Sequence, residues 1–391
     1  MSLVTDRAVV SKRAAHRWEQ GHPWIYRSDV EQRPDLPAGV VEVRDNRGHG
    51  LGRALWSPTS EISLRLLDRD PAAQIDAAWW QRRIHEAAAR RADVATRTTA
   101  YRVVHGEADA CPAFICDRYD RWLVVQFMSA GLEQCRESIL AALVSLPNVD
   151  GILARNDVAL RRKENLPVAV ELLRGTVPET IRIVEHGISY LAAPWTGQKT
   201  GAFLDQRENR ALIGRHSHGR ALDCFSYHGS FALHLAPRAT HVIAVDTSAD
   251  ALSRARENAA LNGFMNIETL ETDAFDYLKR AERAGERFNT IVLDPPAFAK
   301  SRSALPAAIR GYKEINLRAM RMLAPNGMLL SASCSFHLTK PLFLEMLEAA
   351  AADSGRRIAL RQFRGQPADH PEVLTIPETG YIKSALLEAL D

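Results

Sequence analysis

From about Ile188 onward the chain repeats one pattern: a short apolar run rich in β-formers, a polar turn, then a helical segment. The runs are RALDCF at 220–225, HVIAVD at 241–246, IETLETD at 267–273, FNTIVLD at 288–294 and GMLLSAS at 327–333. Segments of helical period, such as 249–262 and 309–323, stand between them. Parallel strands cannot be joined by tight hairpins and take helical crossovers instead, so this alternation predicts an α/β fold with a doubly wound, mostly parallel sheet. Sheets of that kind bind ligands at the carboxyl ends of their strands. The residues just after each run are therefore the first place to look for chemistry.

The upstream half reads differently. VVEVRD at 40–45, GLGRALW at 50–56 and ISLRLLD at 62–68 are strand-like runs separated by Pro and Gly, which predicts a small β-rich module. A helical pattern follows from Pro71 to about Val94. Between Tyr101 and Glu185, the runs YRVV, AFICD and WLVVQF, a helix from about Leu132 to Leu146 and the run VDGILAR predict a compact α+β domain. These shifts divide the 391 residues into 1–72, 73–187 and 188–391. The C-terminal IKSALLEAL fits a strand or a helix equally well.

Composition narrows the function classes. A formal net charge of +3 excludes indiscriminate coating of nucleic acid, yet Arg7, Lys12, Arg13, Arg17 and Arg27 form a local cationic stretch. No run approaches the roughly 20 apolar residues of a membrane span, and Met1 to Arg13 lacks the apolar stretch of a signal peptide, so a cytoplasmic location is expected. Cys111, Cys116, Cys135, Cys224 and Cys334 are an odd set scattered over a long chain, the usage of reduced thiols. Cys111 and Cys116 with His105 lack a second cysteine pair, and His216, His218 and His228 have no ligand spacing, so no metal is expected. Cys135 and Cys224 read as packing residues.

The first run is followed by Ser226, His228 and Gly229 but contains no GxGxxG. A dinucleotide needs several glycines around its pyrophosphate, whereas S-adenosylmethionine carries no phosphate and tolerates a looser loop. Asp246, ending the second run, is placed to accept ribose hydroxyls. Asp273, ending the third, is placed to accept from an adenine amino group. Each aspartate taken singly also fits a helix cap.

The fourth run ends in Asp294-Pro295-Pro296-Ala297-Phe298, where paired prolines stiffen the turn. A fixed carboxyl beside an aromatic ring suits a planar base, with Phe298 stacking and Asp294 meeting a base edge. The fifth run ends in Ser333-Cys334-Ser335. Cysteine is more often a packed core residue, but this position favours a nucleophile. C5 of cytosine is too weak a nucleophile to take a methyl group unaided, and thiolate addition at C6 activates it. Asp294, carrying or sharing a proton, would stabilise charge at N3 and the exocyclic group. The bound sulfonium, Lys300 or Arg302 would favour the thiolate. No residue is marked by the sequence as the base for the C5 proton.

Several motifs in order now fix a resemblance. GQKTGAFLDQRENR at 197–210, LDCFSYHGSFALH at 222–234, LDPPAFAKS at 293–301, GYKEINLRAMRML at 311–323 and SASCSFHL at 331–338 resemble the class I methyltransferases of the RlmI family. GHPWIYRSDV at 21–30 is similar to the start of that family's N-terminal PUA domain, and 104–126 to its central domain. The resemblance implies a Rossmann-like methyltransferase sheet preceded by a PUA-like RNA-binding domain and a central α+β domain. It implies S-adenosylmethionine as cofactor and C5 of a cytosine in large-subunit ribosomal RNA as target. It implies Cys334 as nucleophile and Asp294 as the base-contacting acid. It puts cofactor contacts at Gln198, Lys199, Thr200, Phe203, Ser226, Gly229, Asp246 and Asp273. The sequence departs from the family at His228-Gly229-Ser230, where Thr-Gly-Gly is common, and at 111–116, where Leu-Pro-Gly-Leu-Ile-Val is. Related families that modify guanine share GQKTG and DPPxF but lack the cysteine, so Cys334 discriminates. The competing readings are methylation of another base or another RNA, and a non-catalytic RNA-binding assembly factor. The target nucleotide and the oligomeric state, a homodimer included, are not legible.

Overall fold

The computed structural model describes residues 6–299 and 301–391. The chain divides into two compact units. The first runs through Ile183 and adds Ala192–Leu204 and Ala368–Thr379; the second holds Val184–Leu191, Asp205–Pro367 and Gly380–Asp391.

In the first unit, the three expected N-terminal strands form at Gly39–Asp45, Gly50–Trp56 and Ile62–Asp68, inside a six-stranded sheet. Three shorter strands, Arg7–Val10, Trp24–Tyr26 and Val30–Gln32, complete that sheet. The helix Lys12–Glu19, capped by the Ser11 hydroxyl, turns Ala14, Ala15 and Trp18 into its core. A second sheet has five strands, in the order Val170–Gly175, Gly151–Arg155, Trp122–Phe127, Phe114–Tyr119, Ala100–His105. The helix expected from Pro71 begins later, at Ala77, because the Asp76 carboxylate accepts from the Trp79 N–H and acts as its cap. Its buried face carries Trp80, Ile84 and Ala87 at helical spacing. That face packs in one apolar cluster with Leu55 and Leu67 of the six-stranded sheet and Phe114 and Leu123 of the five-stranded one. The helix expected near 132–146 is interrupted, as Ala130–Glu133 and Arg136–Val144.

The second unit is built on one seven-stranded sheet. Its strands are β1 (Gly219–Cys224), β2 (Ala239–Asp246), β3 (Ile267–Glu271), β4 (Phe288–Leu293), β5 (Leu323–Ser333), β6 (Ile358–Arg364) and β7 (Lys383–Ala389). Its helices are α1 (Arg207–His216), α2 (Ser230–Leu235), α3 (Ala249–Leu261), α4 (Ala274–Arg283), α5 (Leu305–Met322) and α6 (Lys340–Ser354). The spatial order is β3-β2-β1-β4-β5-β7-β6, with β7 antiparallel to both neighbours and the other pairs parallel. This is the doubly wound, mostly parallel sheet that the alternation predicted. The strand order reverses between β1 and β4, and there a doubly wound sheet opens its crevice.

Alternate residues feed the two faces. Leu222, Val245, Ile291 and Leu329 join Tyr312 of α5 and Phe343 of α6 in one cluster, while Ala221, Val242, Val292 and Leu330 pack with Phe231 of α2 in the other. Fully burying each of the larger aliphatic side chains contributes about 1.5–3 kcal/mol. The C-terminal segment is a strand, and its ambiguity has a physical source. A strand covered on both faces loses its period of two, and Ala385, Leu386 and Leu387 are all buried. Among the described residues, no helix is long and apolar enough to cross a membrane.

Candidate active site

The carboxyl ends of β1, β2, β4 and β5 carry the polar residues singled out in the sequence. After β1 the chain makes a strained turn: Phe225, Tyr227 and Gly229 have φ of 63°, 49° and 75°. Left-handed conformations at two non-glycine aromatic residues are uncommon, and such strain concentrates at functional loops. At Gly229 a Cβ would lie 2.9 Å from that of Ala255, so α3 packs too closely for a side chain there. The Ser226 N–H donates to the carbonyl of Val245 (3.0 Å), tying the turn to β2. Asp223 Oδ2 accepts from the Ala232 N–H at 2.9 Å. Asp223 Oδ1 and Ser226 Oγ are buried and without a hydrogen-bond partner. Buried polar atoms are rarely left so, and a pair of them at the end of one strand and the turn that follows fits a polar ligand that completes their bonds. The loop suits S-adenosylmethionine, whose amino acid and ribose groups supply such partners and which brings no phosphate. Burial pushes the Asp223 carboxyl well above its usual range, and Asp294 and Asp246 push it the same way.

Asp246 accepts from the N–H groups of Tyr227 and Ser248, both at 2.9 Å, so it organises the β1 and β2 turns together. Asp273 is an exposed helix cap, its Oδ1 taking the N–H groups of Phe275 (2.8 Å) and Asp276 (3.2 Å) at the start of α4. Phe225, Phe275 and Phe298 form an aromatic group with centroids 5.8–6.4 Å apart. His228 stacks on Tyr227 at 3.7 Å, and burial, with Arg254 nearby, lowers its ring pKa to about 4.

The β4 and β5 loops are held as one piece. The Ala299 N–H donates to Ser335 Oγ (3.2 Å), joining the Asp294-Pro295-Pro296 turn to the cysteine turn. The Tyr312 hydroxyl on α5, fully buried, lies 2.9 Å from both Ser333 Oγ and Ser335 Oγ, the two residues that flank Cys334. Phe298 packs against the Tyr312 ring at 4.6 Å. The buried Lys383 ammonium donates to the carbonyls of Ser335 (2.7 Å) and Tyr381 (2.8 Å), fixing the same turn from β7. Asp294 Oδ1 accepts from Gln206 Nε2 at 2.7 Å. Cys334 is half-buried, whereas Cys111, Cys116, Cys135 and Cys224 are buried. Burial pushes the Cys135 thiol up to about 11 and drives the Cys111, Cys116 and Cys224 thiols well above the usual range. Arg302 is exposed at the start of a short 3-10 turn, and Lys300 lies outside the described residues.

The residues Gln198, Lys199, Thr200 and Phe203 belong to the first unit. Gln198 and Lys199 are exposed, and the Lys199 ammonium lies 4.7 Å from the centre of the Phe203 ring. Thr200 is buried, donating to Asp117 Oδ2 at 2.6 Å and meeting the Tyr119 hydroxyl at 2.9 Å. Asp117 is itself gripped in bidentate fashion by Arg102. Arg155 donates to the carbonyls of Pro194 and Gly197, both at 2.8 Å. Thr200 is thus the anchor of this loop. Among the described residues, no three His, Cys, Asp or Glu side chains are grouped to hold a metal ion.

Sequence reasoning missed Gln206, Tyr312 and Lys383. The first two lie inside quoted motifs, but nothing in their spacing marks their partners.

Comparison with known proteins bears on this geometry. A family described as S-adenosylmethionine-dependent methyltransferase matches residues 123–381, and a PUA-like domain matches residues 8–69. Ribosomal RNA large subunit methyltransferase I of Klebsiella pneumoniae (strain 342) is 38% identical over 387 residues, covering 96% of each chain. The protein of that name from Tolumonas auensis is 40% identical over 379 residues, covering 94% of this chain and 96% of that one. The crystal structure of SMU.776 complexed with SAH shares the fold at a TM-score of 0.84 and 22% identity, over 98% of this chain and 99% of that one. The chain described here therefore belongs to the S-adenosylmethionine-dependent methyltransferases, in the family whose curated members are called ribosomal RNA large subunit methyltransferase I.

Proposed function

We propose that this protein methylates C5 of a cytosine in large-subunit ribosomal RNA, through a covalent adduct with Cys334. The observation that carries the reading is the cysteine turn itself. A half-buried thiol is presented at the crevice end of a parallel strand, with both flanking serines fixed by one buried tyrosine hydroxyl. A guanine methyltransferase, attacking through a ring or exocyclic nitrogen, has no use for such a thiol. The relatives' name supplies the RNA, and the PUA-like match to residues 8–69 is consistent with it. We place the reaction in the cytoplasm.

The residues divide the work as follows. The Cys334 thiolate adds to C6, forming the S–C6 bond and moving the ring π electrons toward C5 and N3. Asp294 delivers a proton at N3 and so neutralises that charge. Phe298 offers a ring face for the base. S-adenosylmethionine, when bound, supplies the electrophilic methyl group that the activated C5 accepts. Loss of the C5 proton and departure of the Cys334 sulfur restore the ring, and Asp294 recovers its proton from N3. In this reading Ser226, Gly229, Asp246 and Asp273 hold the cofactor. Gln198, Lys199, Thr200 and Phe203 stay in the cofactor set on the family resemblance.

The test is nucleoside mass spectrometry of ribosomal RNA from cells with and without the gene. The expected outcome is loss of one 5-methylcytidine, restored by the purified enzyme and labelled cofactor. Label appearing in another base, or in another RNA, would replace the reading with one of its competitors.

A further inference from the structure

The turn that carries Cys334 also carries the most exposed aromatic ring of the described residues. The chain leaves β5 at Ser333, passes Cys334 and Ser335, and turns through Phe336 and His337 to Leu338 before α6 begins at Lys340. Both ends of that turn are pinned. The Ser335 carbonyl accepts from the Leu338 N–H (3.2 Å) and from the Lys383 ammonium (2.7 Å), and Ser335 and Leu338 are fully buried. The Thr339 hydroxyl then caps α6 by accepting from the Leu342 N–H at 3.5 Å. Phe336, between these anchors, is 52% exposed. Every other Phe, Trp and Tyr among the described residues is buried or half-buried. The His337 ring meets Phe336 edge-on, with centroids 5.6 Å apart and planes at 74°, and braces it from one side.

A ring so placed cannot withdraw into the core, because the turn that holds it is fixed on both sides. Whatever covers it must come to the mouth of the crevice. The Cα of Phe336 is two residues from that of Cys334, hence no more than about 7.6 Å away at 3.8 Å per trans peptide. That is within reach of the nucleotide adjoining one whose base lies against the thiol. A base drawn out of its stack leaves its neighbour with an open π face, and proteins that bind single-stranded RNA cover such faces with aromatic side chains. We propose that Phe336 stacks on the nucleobase next to the target cytosine and so holds the RNA strand in register over Cys334. Stacking engages a π face and no hydrogen-bonding edge, so the contact fixes position and is indifferent to which base stands there. Phe298 differs from it, since that ring already packs on Tyr312 at 4.6 Å and lies 5.8 Å from Phe275 and 6.4 Å from Phe225. Phe298 thus serves the target base from within the crevice, and Phe336 the base beside it from the rim. This inference rests on the proposed cytosine chemistry at Cys334 and adds to it a contact with the rest of the substrate.

The experiment uses the full-length enzyme, S-adenosylmethionine labelled in its methyl group, and ribosomal RNA from cells lacking the gene. Phe336→Ala is expected to raise KM for RNA about five- to 150-fold, the worth of one base–aromatic stack, with kcat and the cofactor Kd within about twofold. Phe336→Leu keeps the apolar volume but has no π face, and is expected to behave as Phe336→Ala does. Phe336→Trp and Phe336→Tyr keep the face and are expected to hold KM within about threefold of wild type. Circular dichroism checks that each variant is folded, and the comparison of Phe336→Leu with Phe336→Trp decides the matter if Phe336→Ala is not. A wild-type KM in folded Phe336→Ala or Phe336→Leu, or a loss confined to kcat, would overturn the inference. Methylation of a base other than cytosine by the wild-type enzyme would instead remove the reading beneath it, so the two failures are distinguishable.

Discussion

Two cysteines stand at the carboxyl ends of parallel strands in one sheet, yet the protein treats them in opposite ways. Cys224 is the last residue of β1 and still lies in the ladder, opposite Val245 of β2 and Leu293 of β4. It is fully buried among Leu222, Val245 and Leu293, and burial, reinforced by neighbouring Asp223, drives its thiol well above the usual range. Cys334 lies one residue beyond β5, whose last ladder partner is the Ser333–Lys383 pair. It is half-buried, and its flanking serines are tied to Tyr312. Arrival at the active end of the sheet therefore does not make a nucleophile. A single step past the last ladder pair separates the packed thiol from the presented one.

The contrast can be broken at four points. The largest expected effect is that of Cys334→Ala, which should lower methyl transfer by about a thousandfold or more while cofactor binding measured by calorimetry stays intact. Tyr312→Phe removes the hydroxyl shared by Ser333 and Ser335, so steady-state kinetics should show kcat down by about tenfold, with about 1–2 kcal/mol of stability lost in denaturant titration. Unchanged kcat there would mean that the serine clamp does not present the thiol.

The loop after Cys224 supplies a pH signature. His228 has a ring pKa of about 4 against an unfolded value of about 6.5, so the unfolded chain gains its proton first as the pH falls. Stability contributed by the neutral ring is complete above pH 6.5, and is lost progressively from there down to about pH 4. At pH 5 the loss is about 2 kcal/mol, and His228→Thr should abolish that part of the pH dependence in thermal unfolding at pH 7 and pH 5. The smallest effect belongs to Cys224→Ala: kcat within about twofold of wild type and about 1–2 kcal/mol less stability, as for a small core truncation. A thousandfold loss of activity in that variant would reverse the roles of the two cysteines.

The sheet was legible because each βα unit carries its own period, and the strands from 220 to 333 form where the runs predicted. Val170–Gly175 was not legible, because that strand pairs through its backbone with Gly151–Arg155 while most of its side chains face solvent and show no alternation. Helix Lys12–Glu19 escaped because two alanines and one tryptophan make a thin apolar stripe among charges. At the site, Asp246, Asp294 and Cys334 were readable as residues that end strands. Gln206, Tyr312 and Lys383 were not, since each acts on a partner 88, 21 and 48 residues away and only the folded sheet brings them together. Thr200 was legible as part of a motif, but its tie to Asp117, 83 residues away, was not.

The central claim is that Cys334 forms a bond to C6 of the target cytosine. Its most direct test is to offer the wild-type enzyme, Cys334→Ala and Cys224→Ala a ribosomal RNA transcript in which cytidine is replaced by 5-fluorocytidine. The fluorine at C5 cannot leave as a proton does, so a thiol adduct should persist. The account predicts an RNA-linked protein, with the cross-link mapped to Cys334 by mass spectrometry, in the wild type and Cys224→Ala and none in Cys334→Ala. An adduct that survives in Cys334→Ala, or cytosine methylation by that variant at the wild-type rate, would contradict it.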